Sequence, residues 1–387
     1  MRVTDVRAHH LRAELDAPFG WSLHATTTRQ ALLVEVQTDD GLVGWGESGS
    51  GTLPGAARGF VEEVLGPLAV GADPFDLAGL WQQVERTFDR AGWTTGGLAL
   101  QAFSGLETAL WDLMGQATGR PVWMLLGGRV RRRVRAYATG LYYYPTAPDP
   151  SAAREREARG YAERGFPAMK MKVGGLAPDD DVREAERIRG AIGPDVALMA
   201  DANGAYDSAT AVRVGRALES LGVAWLEEPV ARGDLAGYGE VRAALGMPVA
   251  GGEHLGGLDA FREVVARRAV DVLQPDVANC GGLAEARRVA ALARAFHVRV
   301  FPHVWGTPLA VAAALHLTAT LPSTPATVAP TPLFGDPVFE YDCSPHPIRD
   351  AMMSDDLRPR DGWLDVPDGP GLGVHVDRSI VERFRVA

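Results

Sequence analysis

The feature that most constrains this chain is a repeated grammar in which a short apolar segment is followed by an amphipathic stretch, seven times over. The apolar segments are Val134–Ala138, Ala168–Val173, Val196–Ala200, Val223–Leu226, Pro248–Gly251, Val270–Leu273 and Val298–Phe301, and their starts lie 34, 28, 27, 25, 22 and 28 residues apart. That spacing is the length of one strand plus one crossover helix. The intervening stretches carry apolar stripes at helical spacing, such as Val214, Leu218 and Leu221. Seven consecutive units predict an α/β chain built on a modified TIM barrel, (β/α)7β, rather than an open sheet. The competing architecture, a doubly wound nucleotide-binding sheet, lacks here its Gly-x-Gly-x-x-Gly turn after the first strand.

The barrel does not account for the whole chain. With 387 residues, 46% of them hydrophobic, the protein exceeds the size at which one core stops growing, and two domains are expected. Residues 1–125 read as an α+β capping domain. Strands are expected over Arg2–Leu11, Gln30–Thr38 and Leu42–Gly46, with the turn Asp39-Asp40-Gly41 before the third, and helices from about Ala56 to Gly119. Between the first two strands, Pro18-Phe19-Gly20-Trp21-Ser22-Leu23-His24 reads as a loop whose aromatics and histidine suit a cover over a site, part of a specificity loop over about 18–30. Residues 126–345 form the predicted barrel, and 346–387, strands and turns with Val374–Val376 near the end, a segment packing back on the cap.

Composition removes several function classes. There are 49 acidic against 39 basic residues, a formal charge of −10, and no basic block beyond Arg129–Arg135, so a nucleic-acid partner is not expected. The two cysteines, Cys280 and Cys343, are too few for a disulfide framework, which points to a reducing cytoplasm. The first residues lack the apolar core of a signal peptide and no apolar run is long enough to span a membrane, so no membrane partner is expected either.

Barrel function lives at the carboxyl ends of the strands. Successive strands deliver Lys170-Met171-Lys172, Asp201-Ala202-Asn203, Glu227-Glu228-Pro229, Glu253-His254, Gln274-Pro275-Asp276 and Pro302-His303 to that end. Asp201, Glu227 and Glu253 come from three neighbouring strands. Their carboxylates would repel one another unless a cation sat among them, and an all-oxygen set favours Mg²⁺, with Mn²⁺ as a substitute. Lys170 and Lys172, two apart on a strand, face the barrel interior together, where each is expected to lower the other's pKa and free one amine as a base. Asp276 is placed to hold one nitrogen of His303 and raise the basicity of the other, a second base on the opposite wall. His24 and His254 could touch a ligand; the remaining histidines read as structural or exposed.

These residues resemble the mandelate racemase branch of the enolase superfamily, over essentially the whole chain. The motifs that carry the likeness are Lys170-x-Lys172, Asp201-x-Asn203, Trp225-Leu226-Glu227-Glu228-Pro229, Gly252-Glu253, Pro275-Asp276 and His303. The resemblance implies that the first acid of the Glu-Glu-Pro triplet, Glu227, is the ligand rather than Glu228. It implies that Lys172 and His303 are the two bases, that Lys170 steers the substrate carboxylate, and that Glu340 hydrogen-bonds it, although the run from His303 to Glu340 is longer than in the racemase itself. It implies abstraction of the proton next to a carboxylate with help from Mg²⁺. Several other strings look closest to aldarolactone cycloisomerases, so β-elimination on an acid sugar or its lactone is the favoured outcome, with acid-sugar dehydration and racemisation of a 2-hydroxy acid as alternatives. Trp21, His24, Asn203 and Trp305 are the expected substrate contacts, and further copies of the chain, in a homo-oligomer, the expected protein partner.

Overall fold

The computed structural model describes residues 1–49, 53–92, 96–327, 333 and 335–386. Its N-terminal sheet has three antiparallel strands in the order β1 (Val3–Trp21), β2 (His24–Thr38) and β3 (Val43–Ser48). The first two are far longer than the sequence suggests. The expected loop Pro18–His24 is the end of a hairpin, with Phe19 opposite Thr26, Gly20 opposite Ala25 and Trp21 opposite His24. Pro18 and Gly20 read as loop signals, yet a register irregularity between Glu14 and Phe19 absorbs the proline, as edge positions and bulges allow. The specificity loop over about 18–30 is therefore strand, apart from the turn at Ser22-Leu23.

Helices Leu77–Arg90 and Gly97–Thr118 cover one face of this sheet. The Asp76 side chain caps the first, accepting from Gly79 N at 3.1 Å. The second lies directly on β3, because Gly46 and Gly105 meet with no room for a side chain. Leu106, Leu110 and Leu113 from this helix join Leu32, Val34 and Val36 of β2 in one apolar core.

Apart from one antiparallel strand, eight parallel strands among the described residues make up the second sheet: β4 (Arg133–Thr139), β5 (Ala168–Lys172), β6 (Ala197–Asp201), β7 (Val223–Glu227), β8 (Val249–Gly251), β9 (Val272–Leu273), β10 (Arg299–Val300) and β11 (Val338–Asp342). A helix follows each of the first seven, and their order, β10 through β4 and then β11, places the last strand beside the first, the curled (β/α)7β arrangement expected. The seven predicted strands fall within two residues of the observed ones. The eighth, β11, lies inside the predicted barrel range 126–345, after the last of the seven segments that spacing picks out.

The C-terminal segment departs further from expectation. Val374–Val376 is not a strand, and the segment contains helices Pro347–Met352 and Arg378–Phe384 and strand β12 (Trp363–Asp365). It touches both halves of the molecule: β12 pairs with barrel strand β4, while Arg385 bridges Leu11 and Arg378 forms an ion pair with buried Glu35 of the cap. The alternation of Val374, His375 and Val376 is too short to decide between strand and coil without a partner ladder.

Candidate active site

The inward faces of the barrel strands change character over a single alternation. Tyr137, Ala168, Met199, Trp225, Val272 and Val338 pack together as an apolar plug inside the barrel. Two residues further along each strand or its continuation stand Thr139, Lys170, Asp201, Glu227, Gln274 and Glu340, so period-two geometry stacks a polar layer directly on the plug. Asp201 and Glu227 are paired across the β6–β7 ladder, and Asp201 and Lys172 across the β5–β6 ladder.

Carboxylate oxygens of Asp201, Glu227 and Glu253 lie within 4.8 Å of one another, with 0%, 0% and 5% of the residues exposed. Trp225 Nε1 and Gln274 Nε2 donate to Glu227 Oε2 at 3.1 and 2.7 Å. Burial, with further repulsion from Asp201, pushes the Glu227 carboxyl up to about 8 even against Lys170. Three converging buried acids with only oxygen to offer suit a hard divalent cation. A second group, Glu228, Glu253 and His254, has similar spacing. There, however, Arg232 Nε already engages both Glu228 oxygens at 3.2 Å, and a cation would displace that guanidinium.

The lysines face inward as expected. Lys172 Nζ lies 2.5 Å from Asp201 Oδ2, and Lys170 Nζ is hydrogen-bonded to Glu227 and lies 2.8 Å from Glu340 Oε1. Depression of the Lys172 amine by Lys170 is present but outweighed. Burial alone would drive protons off both, yet Asp201 holds the Lys172 ammonium above lysine's ordinary range, and Glu227 and Glu340 do the same for Lys170. Glu340, expected as a hydrogen-bonding acid, meets Lys170 as an anion: burial pushes its carboxyl up, but Lys170 leads the cations and donors that hold it below the usual range. Thr139 Oγ1 also donates to it at 2.6 Å.

On the other side, His303 Nδ1 donates to Asp276 Oδ2 at 2.6 Å and its Nε2 lies 3.5 Å from Glu253 Oε2. Burial would lower the imidazole's pKa, but Glu253, Glu340 and the Asp276 bond outweigh it and push it up to about 10. Ala278 N donates to the other Asp276 oxygen at 2.7 Å, which holds the carboxylate in place.

A cavity of about 650 Å³ opens above this layer, and Lys172, Asn203, Glu253, Asp276, His303, Trp305 and Glu340 line it, together with Trp21 and His24 from the hairpin tip. Lys170, Asp201 and Glu227 lie beneath it. Trp21 meets Trp305 edge-on at 5.8 Å and His24 at 5.2 Å. The hairpin is tied down where Gly20 and Tyr143 exchange two backbone hydrogen bonds and Ser22 Oγ donates to Ala202 O at 2.7 Å. Asn203 Oδ1, Trp305 Nε1 and Glu340 Oε2 are buried without a hydrogen-bond partner among the described residues. Such atoms are costly unless a ligand meets them.

Among the cavity residues that sequence reasoning passed over are Arg29 and Glu47. Arg29 stacks on Trp305 with its guanidinium carbon 3.9 Å from the ring centroid and bonds Asp342 Oδ2 at 2.8 Å. Glu47, at the end of β3, accepts from Thr307 N at 2.8 Å, and burial pushes its carboxyl up to about 7. Their partners lie 313 and 260 residues away, so no local pattern signals them. The inward-pointing charge on a cap strand was the available clue.

Fold and mouth together define the class: an enzyme whose (β/α)7β barrel carries charged side chains at one end under an antiparallel cap. Residues 3–127 match the family described as "Mandelate racemase / muconate lactonizing enzyme, N-terminal domain" and residues 153–380 match "Enolase C-terminal domain-like". The chain belongs to the mandelate racemase/muconate lactonizing enzyme family of the enolase superfamily. It is 39% identical to D-galactarolactone cycloisomerase of Agrobacterium fabrum, over 100% of this chain and 99% of that one. It is 32% identical to arabinonate dehydratase of Saccharolobus solfataricus, covering 92% and 91% of the two chains. Among solved structures, the 3,6-anhydro-D-galactonate cycloisomerase from Zobellia galactanivorans superposes with a TM-score of 0.88 at 32% identity and complete coverage of both chains. Among the described residues, no helix is long and apolar enough to cross a membrane.

Proposed function

We propose that this chain is an aldarolactone cycloisomerase of the galactarolactone type, releasing a 3-deoxy-2-keto acid by β-elimination. The observation that supports the chemistry is the pair of basic groups on opposite flanks of one carboxylate triad, Lys172 beside Asp201 and His303 beside Glu253. The choice of substrate rests on the 39% identity to D-galactarolactone cycloisomerase.

Asp201, Glu227 and Glu253 would hold Mg²⁺, or Mn²⁺ in its place, which supplies positive charge to the substrate carboxylate as that group gains electron density. Lys170, fixed by Glu227 and Glu340, steers the same carboxylate. Lys172 or His303, according to the configuration of the α carbon, takes the α proton, and Asp276 stabilises the imidazolium in the second case. The electron pair of the C–H bond becomes a carbon–carbon π bond while the β C–O bond breaks. The lactone ring oxygen leaves as a carboxylate, and the enol takes up a proton at the β carbon to give the 2-keto acid, so atoms balance with no water consumed. Asn203, Trp21, His24 and Trp305 bind and shape the sugar.

The cap, about residues 1–125, and the segment 346–387 serve specificity and support, and the barrel, 126–345, carries the chemistry. The enzyme works as a homo-oligomer in the cytoplasm, where Cys280 and Cys343 stay free thiols. Incubation with Mg²⁺ and a panel of aldarolactones, followed by proton NMR, should show lactone loss and 2-keto acid formation that EDTA abolishes and Mg²⁺ restores. The dehydratase reading draws on the arabinonate dehydratase relative. Turnover of open-chain aldonates with the lactones untouched would replace the cycloisomerase with it.

A further inference from the structure

We propose that Glu47, a residue of the cap, is the positioning residue for the His303 base, through a closed ring of hydrogen bonds that runs from β3 to the histidine–aspartate pair and back. This rests on the reading of His303 as a base. The ring begins at Gly49 N, which donates to Ala278 O at 2.8 Å. Ala278 N donates to Asp276 Oδ1 at 2.7 Å, and Asp276 Oδ2 accepts from His303 Nδ1 at 2.6 Å. From His303 the chain runs four residues to Thr307, whose N and Oγ1 donate to Glu47 Oε2 at 2.8 and 2.5 Å, with Ala310 N at 3.3 Å from the same oxygen. Glu47 and Gly49 stand two residues apart, one holding the loop that carries His303 and the other the loop that carries Asp276.

The β9–β10 ladder itself reaches neither residue. Strands β9 and β10 share a ladder of two residue pairs, and Asp276 and His303 both stand three residues beyond it, on backbone outside any strand. The contacts leave no room for substitution: a side chain at Gly49 would collide with Asn279, and one at Gly306 would come within 2.7 Å of Glu47 Oε1. Glu47 is 6% exposed and Thr307 is fully buried, so removing the carboxylate leaves the two Thr307 donors without their protein partner.

The test compares Glu47→Ala, Glu47→Gln, His303→Asn and the Glu47→Ala/His303→Asn double variant in the full chain with Mg²⁺. Two readouts are used: the NMR signal of the His303 Nδ1 proton in ¹⁵N-histidine-labelled protein, and kcat and KM. Glu47→Ala is expected to broaden or shift that signal and to lower kcat at least tenfold with KM within about threefold. Glu47→Gln, which keeps the shape and one acceptor oxygen, recovers most of both. The double variant falls no further than His303→Asn alone. An unmoved signal with unchanged kcat in folded Glu47→Ala would overturn the proposal, as would an additive loss in the double variant, which would mean that Glu47 acts elsewhere. Full activity in His303→Asn would instead remove His303 as a base, while the NMR signal still judges whether Glu47 positions it.

Discussion

The two flanks of the cavity are built differently. Lys170 and Lys172 stand on β5, a five-residue strand paired residue for residue with β6 from Ala168 to Lys172. Alternation along that ladder aims both side chains inward, over the same plug that Ala168 helps to form. His303 and Asp276 stand on irregular backbone past two very short strands, and cap residues from the far end of the sequence meet their loops. A strand places its side chains by local geometry, whereas a loop needs partners to fix it. The lysine flank is placed by the barrel's own strands, and the histidine flank is assembled with help from the cap.

Removing the bases gives the largest test of that contrast. Lys172→Met and His303→Asn should each lower kcat by roughly 10²–10⁴-fold if both flanks take part in turnover. A variant that retains full kcat assigns all proton transfer to the other flank. Asp276→Asn comes next, with an expected loss of roughly 10–100-fold, because the imidazole loses the carboxylate that orients it. A loss below threefold would show that the histidine flank needs no orienting partner. Trp21→Ala should raise KM about tenfold with a small change in kcat, since the indole packs against Trp305 and His24 at the hairpin tip; an unchanged kcat/KM removes the hairpin tip from substrate recognition.

The smallest effect concerns two cap acids, Glu107 fastening the cap to the barrel and Asp112 fastening it to the C-terminal segment. Glu107 accepts from Leu283 N and Ala284 N at 2.7 and 2.9 Å, and Asp112 from Leu372 N at 2.8 Å. Burial pushes Glu107 up to about 7 and Asp112 up to about 6. Both folded-state values lie above the unfolded ones, so the stability these groups contribute is complete below the ordinary carboxylate range and is lost as pH rises through 6 and 7. One group sets a slope of at most about 1.4 kcal/mol per pH unit. Calorimetry between pH 5 and 8 should show a fall in Tm that flattens by about 1–3 °C in Glu107→Gln. An equal slope in the variant would dissociate Glu107 from that pH dependence.

Legibility followed the same division. The strand spacing, the lysine pair and the acids at the ends of β6, β7 and β8 stood in plain view because each is a local pattern. Glu227 and Glu228 could not be separated by spacing; the resemblance chose Glu227, and in the structure Glu227 bonds Lys170 while Glu228 bonds Arg232. The hairpin was hidden because Pro18 and Gly20 carry loop signals that a register shift overrides. The exact position of strand β11 was not marked by the βα spacing, because its pairing with β4 spans about 200 residues.

The sequence by itself therefore determined the (β/α)7β architecture, the family motifs and the polar layer of the mouth, because alternation and helical period act over a few residues. Only the tertiary structure decided that Glu340 joins Lys170, that Arg29 stacks on Trp305, and that Glu47 holds the loop of His303. Those contacts unite segments separated by 170 to 276 residues. No local pattern encodes such a meeting; it exists only once distant segments have packed together, within the barrel for Glu340 and Lys170 and between cap and barrel for the others, and buried charges have found partners close enough to offset their lost hydration.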